Sequence, residues 1–337
     1  MIDFRYHLVS IVAVFLALAI GIVIGASALK PELLGAFNRA SSNELRTINS
    51  QRTNIRGLEN ELGTNQAFAQ SAAPLLLDNL LAGQQVALVT APGADAGTVS
   101  GVTAALKLAG AKITTQAALQ PAFFDTSAAT RGSLETLAQQ VAPAGLLLQP
   151  GPNPQTAGQQ EAAQVLAAAL VTKNGSDLPA DETNLILNNF SQQGFLQLSP
   201  GGPSAPPQAT LAVVIIPGSP PATDADPANL ALISVADQLN RSSRGVVVAG
   251  SLNGSGPGSA IDELINGNTG VQLTSVNNAD KEIGQIIVAQ ALASLLAGQK
   301  PQAYGVGAAV PTPAPTPSPT PSATPTAAAA PRNAGRA

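Results

Sequence analysis

His7 is the one histidine in this 337-residue chain, Met1 is its one methionine, and there is no cysteine. Thiolate catalysis, disulfides, cysteine-ligated zinc and iron–sulfur clusters are therefore excluded. A serine–histidine pair cannot form beyond residue 7, because the rest of the chain supplies no imidazole. The remaining chemical candidates are carboxylates and glycines. Asp224 and Asp226 have the hard-oxygen character that Mg²⁺ favours. However, Asp226-Pro227 also has the form of a helix start, with Asp as cap and Pro at the first helical position. Asp280, and Ser259 three residues before Asp262, read as helix starts too. Asp181-Glu182 and Asp262-Glu263 are sequence neighbours, and adjacent side chains do not converge on one substrate. Gly254, Gly256 and Gly258 follow an apolar run, but Ser259 stands where a dinucleotide fingerprint needs its last glycine, and Pro257 stiffens the loop. The sequence therefore predicts no catalytic residues, no cofactor-binding residues and no metal ligands.

The elements around these residues fall into five stretches. Residues 1–7 are expected to form a short, charged, cytoplasmic N-terminus. Residues 8–29, LVSIVAVFLALAIGIVIGASAL, carry no charge and are long enough to cross a bilayer as a helix, which takes about 20 apolar residues. A cleaved signal peptide is the rival reading, since Ala26-Ser27-Ala28 fits a small-residue cleavage pattern; the apolar run exceeds the ~7–15 residues of a signal core, which favours an uncleaved anchor. Asp3, Arg5, Tyr6 and His7 sit just before the span. Basic and aromatic residues there favour headgroup depth, and the same cluster is a candidate contact for a partner.

Residues 30–73 read as a polar juxtamembrane helix. Ile48, Ile55, Leu62 and Ala69 recur every seven residues, a weak heptad stripe with Leu45 and Leu58 beside it. Arg52, Glu59 and Gln66 occupy the companion seam. The stripe is either a short coiled coil, pairing with itself or a partner helix, or the inner face of a solvated stalk. Its basic first half also offers contact with anionic lipid.

Residues 82–308 alternate short apolar runs with Ala/Leu-rich helical ones. Strands are expected at Gln85–Thr90, Lys112–Thr115, Ala144–Gln149, Leu185–Leu187, Leu211–Ile216, Gly245–Ala249 and Val271–Val276. Helices are expected at Thr98–Ala109, Ser133–Gln140, Glu161–Thr172, Ala228–Arg241, Ser259–Asn266 and Asp280–Ala297. Continuous apolar strands separated by helices predict an α/β domain with a mostly parallel sheet, Rossmann-like or flavodoxin-like. Three expected strands end in Pro-Gly, at 92–93, 150–151 and 217–218. These dipeptides either punctuate turns or line a crevice outside the carboxyl ends of the strands. Residues 309–337 form a Pro/Thr/Ser-rich tail expected to be disordered.

Charged residues make up 11% of the chain and the net charge is −4, so a basic nucleic-acid surface is excluded. Lys and Arg counted around the span would place the domain in the cytoplasm; a Pro-rich tail suits the outside of a membrane.

The opening Asp3-Phe4-Arg5-Tyr6-His7-Leu8-Val9-Ser10, followed by Gly21 and Gly25 in the apolar run, resembles the mycobacterial copper transport protein B family of actinobacterial envelope proteins. Ser275-Val276-Asn277-Asn278-Ala279-Asp280, Gly284-Gln285 and Ala303-Tyr304-Gly305 are similar to it as well. The resemblance implies one N-terminal anchor, a short coiled coil and an outward-facing α/β domain. It implies either copper transport or copper-level control, or a structural role in envelope integrity and division, as for a corynebacterial relative linked to cell separation. Copper is thus expected only through the resemblance, since Cu(I) prefers sulfur and Cu(II) imidazole. The reading that follows is a single-pass protein of the cell membrane, its domain outside the cytoplasm, that works by partner binding in envelope integrity and division, as a homo-oligomer or with a division protein; copper transport or copper-level control is the alternative. A degenerate nucleotide- or sugar-binding domain is a further alternative.

Overall fold

The computed structural model describes residues 4–27, 31–151, 153–175, 178–199, 206–219, 226–267, 269–307, 310 and 312–315. Two compact units divide the chain between Asn65 and Gln66.

The first unit is helical. Helix α1 (Phe4–Ser27) carries the apolar run. Its stretch Tyr6–Gly25 is long and apolar enough to cross a membrane, and none of it is buried within the chain. Helix α2 (Pro31–Leu77) begins in this unit. Along it Leu45, Ile48, Ile55, Leu58 and Leu62 are all exposed.

The second unit holds the end of α2 and a seven-stranded sheet. The strands are β1 (Gln85–Thr90), β2 (Lys112–Leu119), β3 (Leu196–Leu198), β4 (Leu211–Ile215), β5 (Val246–Ala249), β6 (Thr274–Val276) and β7 (Ala303–Tyr304). Their spatial order is β3-β2-β1-β4-β5-β6-β7. Every neighbouring pair is parallel except β2 with β3. This is the doubly wound order, in which the chain reverses direction across the sheet between β1 and β4. The mostly parallel Rossmann-like sheet read from the sequence is the fold observed.

Parallel strands buried on both faces need apolar residues at every position, and β4 and β5 are buried throughout. Ala87, Val89, Val214 and Val248 face one core with helices α4 (Ala128–Val141), α5 (Ala157–Leu170), α6 (Ala180–Gln192), α7 (Asp226–Ser242) and α8 (Ala260–Asn266). Val86, Leu88, Val213 and Val247 face the other, with α3 (Ala96–Leu108), α9 (Glu282–Leu296) and the end of α2. Ala69 and Leu77 of α2 are part of that second core.

The structure corrects several expectations. Ala144–Gln149 is not a strand. Its backbone is held by a side chain instead: Gln149 N–H donates to Gln164 Oε1, and Gln164 Nε2 donates back to Gln149 O. Leu185–Leu187 lies inside α6, where Thr183, Ile186, Leu187 and Phe190 recur at helical spacing and are buried. The strand of that region is β3, further along. Strand β2 runs four residues beyond the expected Thr115. Only Thr274–Val276 of the run 271–276 is strand. Asp280 does not cap α9: Lys281 holds that position, with no side-chain cap. Within the expected disordered tail, Thr312 bridges to Tyr304 and Ala314 packs on the second core; residues 316–337 lie outside the described residues, as does Asp224.

Candidate functional site: the crevice at the strand ends

The loops that leave the carboxyl ends of β1, β4, β5 and β6 meet at the point where strand order reverses. They border an open cleft of about 480 Å³ lined by Gly93, Asp95, Thr98, Gly218, Ser219, Ser251, Asn253, Asp280 and Lys281. The glycines of two of the three Pro-Gly dipeptides, Gly93 and Gly218, line it; the third dipeptide, 150–151, does not.

Local bonding explains why these residues face each other. Gly218 N–H donates to Gly93 O at 2.9 Å, stitching the β1 and β4 loops together. A Cβ on Gly218 would come within 3.1 Å of Asp95 Cβ, so a side chain there would push the two loops apart by a few tenths of an ångström. Ser251 ties the next loop in: its Oγ donates to Gly218 O at 3.0 Å and accepts from Gly254 N–H at 3.0 Å. A Cβ on Gly254 would overlap Pro217 O. The glycine-rich stretch 254–258 thus packs against the β4 loop through Gly254. It leads into α8, which Ser259 caps by accepting from Asp262 N–H at 3.1 Å, while Asp262 Oδ2 accepts from Gly258 N–H. The Ser259 cap is the start signal read from the sequence; the return bond of Asp262 reaches one residue further back, to Gly258, while Ser259 N–H donates to Gly256 O.

Asp95 is the N-cap of α3. Its Oδ2 accepts from Thr98 N–H at 2.7 Å and from Thr98 Oγ1 at 3.1 Å. The Thr98 backbone and side-chain hydrogen bonds, with a smaller one from the Gly97 N–H, hold the carboxyl below the usual aspartate range against a weak opposing effect of burial. The helix end that cradles pyrophosphate in dinucleotide-binding proteins is therefore occupied here by the protein's own carboxylate. Asp280 lies across the crevice. Its Oδ2 is 3.3 Å from Lys281 Nζ, and its Oδ1 is buried with no donor among the described residues.

The second stretch on which the family resemblance rests builds the wall beside Asp280. Asn277 reaches from β6 to the end of β7: Val306 N–H donates to its Oδ1 at 2.9 Å, and its Nδ2 donates to Val306 O at 2.7 Å. Gly305, at φ +131°, leaves room that a Cβ would take from Asn277. Gly284 lets α9 close on Asn278 O, and Gln285 lies over Gly101 of α3. Tyr304 is buried in the second core, which pushes its hydroxyl pKa up.

The residues singled out from the sequence lie elsewhere. Asp3 is outside the described residues, and Arg5 is in the first turn of α1. Tyr6 and His7 are exposed on α1. Ile48, Ile55 and Leu62 are exposed on α2. The described ones do not line the crevice. Sequence reasoning missed Asp95, Ser219, Ser251, Asn253 and Lys281; the Pro-Gly pairs after two apolar runs were the available signal. Among the described residues, no three of His, Cys, Asp and Glu come together as a metal-binding group.

An apolar N-terminal helix of membrane-crossing length, a long second helix and an open doubly wound sheet define an α/β membrane-associated class of protein. The family model described as "Copper transport outer membrane protein, MctB" matches residues 1–315, and the chain belongs to that family. Curated relatives agree. The copper transporter MctB of Mycobacterium tuberculosis is 26% identical over 313 residues, 91% of this chain and 97% of its own length. The Mycobacterium bovis protein has the same values, and the Mycobacterium leprae copper transporter MctB is 26% identical over 312 residues. The family is one of envelope membrane proteins, and copper transport is the function in its name. The division role that the resemblance also implied has no support in these matches.

Proposed function

We propose that this protein works in envelope copper control as a membrane-anchored component of an assembly, not as the carrier that ligates the ion. The match to the copper transport family along residues 1–315 carries the copper part of this reading. The donor set carries the rest. The chain has no cysteine, and its one histidine and one methionine lie at positions 7 and 1. Nothing in residues 82–308 offers the sulfur or imidazole that copper prefers. In this reading α1 is an uncleaved anchor in the cell membrane and the α/β domain stands outside the cytoplasm. A single helix cannot enclose a path for an ion, so the protein acts with other copies or with a partner. The exposed stripe Ile48, Ile55, Leu62 is the pairing surface, and copies anchored by α1 in one membrane pair in parallel. The domain binds and positions and does not catalyse.

The test is cellular copper measured by mass spectrometry in a strain lacking the protein. Copper content should change on deletion and return on complementation with the full chain or with His7→Ala. An unchanged content on deletion overturns the copper role. Failure of His7→Ala alone to complement overturns the indirect mechanism. Stoichiometric copper on the purified chain, above that on a cysteine-free control protein, also overturns it.

A further inference from the structure

The crevice has a polar chemistry that the copper reading does not use. We propose that it binds a neutral, hydroxyl-rich ligand of mono- to disaccharide size, an end of an envelope glycan or a free sugar. Four observations converge on this class. The cavity lies outside the carboxyl ends of parallel strands at the reversal of strand order, where doubly wound sheets hold their ligands. Its 480 Å³ falls in the range of about 300–1,000 Å³ common to small-molecule sites.

Among the described residues its lining has no large apolar side chain and mixes donors with acceptors: Ser219, Asn253, Lys281 and the two carboxylates Asp95 and Asp280. Hydroxyl groups, each donor and acceptor at once, match such a surface. Phosphate is disfavoured, because the Asp95 carboxylate already takes the Thr98 N–H at the start of α3.

Asp280 is the residue most in need of a donor. An ionised carboxylate has about four acceptor sites. Among the described residues Oδ2 meets the half-exposed Lys281 ammonium, while Oδ1 is unpartnered and lies below the surface. A sugar hydroxyl, with Asn253 and Lys281 beside it, donates to this carboxylate at Oδ2. Asp95 contributes from the opposite wall, held in place by Thr98. No carbon chain or aromatic platform is required, which suits a domain that has only Gly, Ser, Thr, Asn, Asp and Lys at this position.

The experiment is calorimetric titration of the full chain in lipid nanodiscs, because glycoside detergents would compete. The probes are glucose, N-acetylglucosamine, maltose and cellobiose, with ADP as the anionic comparison. At least one neutral sugar should bind saturably with ADP silent. Asp280→Asn should weaken that sugar by about tenfold, as expected for loss of a charge-assisted hydrogen bond. Ser219→Phe, at an exposed loop position, should fill the crevice and abolish binding without depending on the Asp280 loop. A soluble glycan fragment binding more tightly than its free monosaccharide identifies the glycan end as the source; equal affinity identifies the free sugar. Absence of saturable binding by all four sugars up to about 20 mM overturns the proposal, since weaker sites fall outside specific recognition. Binding that survives Ser219→Phe, or ADP binding tighter than any sugar, overturns it as well.

Discussion

Asn277 grips Val306 with both ends of its amide, accepting from the Val306 N–H at 2.9 Å and donating to the Val306 carbonyl at 2.7 Å. One buried side chain thereby does for the edge of the sheet what a longer strand would do by backbone pairing. Strand β7 has only two residues and few ladder bonds of its own. The clamp holds it, and with it Tyr304, against the second core. Asn277→Ala should lower stability by about 1–2 kcal/mol, two lost hydrogen bonds of which one end stays wet. Amide exchange should speed up at Tyr304 and Val306 first and leave β4 protected.

Two glycines of the same region make opposite predictions. A Cβ on Gly284 would overlap the backbone of Asn278, and backbone on both sides cannot yield. Gly284→Ala should therefore cost about 2–3 kcal/mol, as overpacking does. A Cβ on Gly101 meets only the far end of the Gln285 side chain, which can swing aside. Gly101→Ala should change stability by less than about 1 kcal/mol, because helix propensity compensates. Thermal unfolding of both variants separates the two cases.

Glu161 gives a pH dependence. It is buried in α5 with one carboxyl oxygen unpartnered. Burial raises its pKa above the ordinary 4.5, the charge of Glu135 adds to this, and a hydrogen bond from Gln139 opposes it. The folded state thus holds the proton to higher pH than the unfolded chain does. Its contribution is favourable below the unfolded value and is lost as pH rises through the folded one. Glu161→Gln removes the charge and should raise the melting temperature at pH 7 by about 1–3 °C. The gain should shrink on acidification and vanish below about pH 4. A gain that persists at pH 3.5 would mean that packing, not ionisation, sets the effect.

The stripe on α2 bears on assembly. Ile48, Ile55 and Leu62 are exposed. Replacing all three with Ser should reduce self-association of the full chain in sedimentation or cross-linking, while the melting temperature of the α/β domain stays within about 1 °C. An unchanged oligomeric state would assign the stripe to something other than a second copy.

The sequence by itself determined the apolar helix, the α/β class and the positions of most strands along the chain. Uninterrupted, β-branched runs such as 211–216 and 245–249 fit a strand covered on both faces. It also determined what chemistry is absent, since a chain without cysteine and with one histidine cannot regain those groups by folding. It misjudged 144–149 and 185–187, where short apolar runs do not reveal whether a strand partner exists. Leu185–Leu187 joined a helix because Ile186, Leu187 and Phe190 share one face with Thr183. Gln149 found Gln164 instead of a strand. Only the tertiary structure brought Asp95, Ser219, Ser251 and Lys281 around one cavity, from loops up to 186 residues apart between Asp95 and Lys281. Sequence periodicity reports which face of an element is buried, while a crevice depends on strand order, and strand order is set by long-range packing that no local pattern encodes.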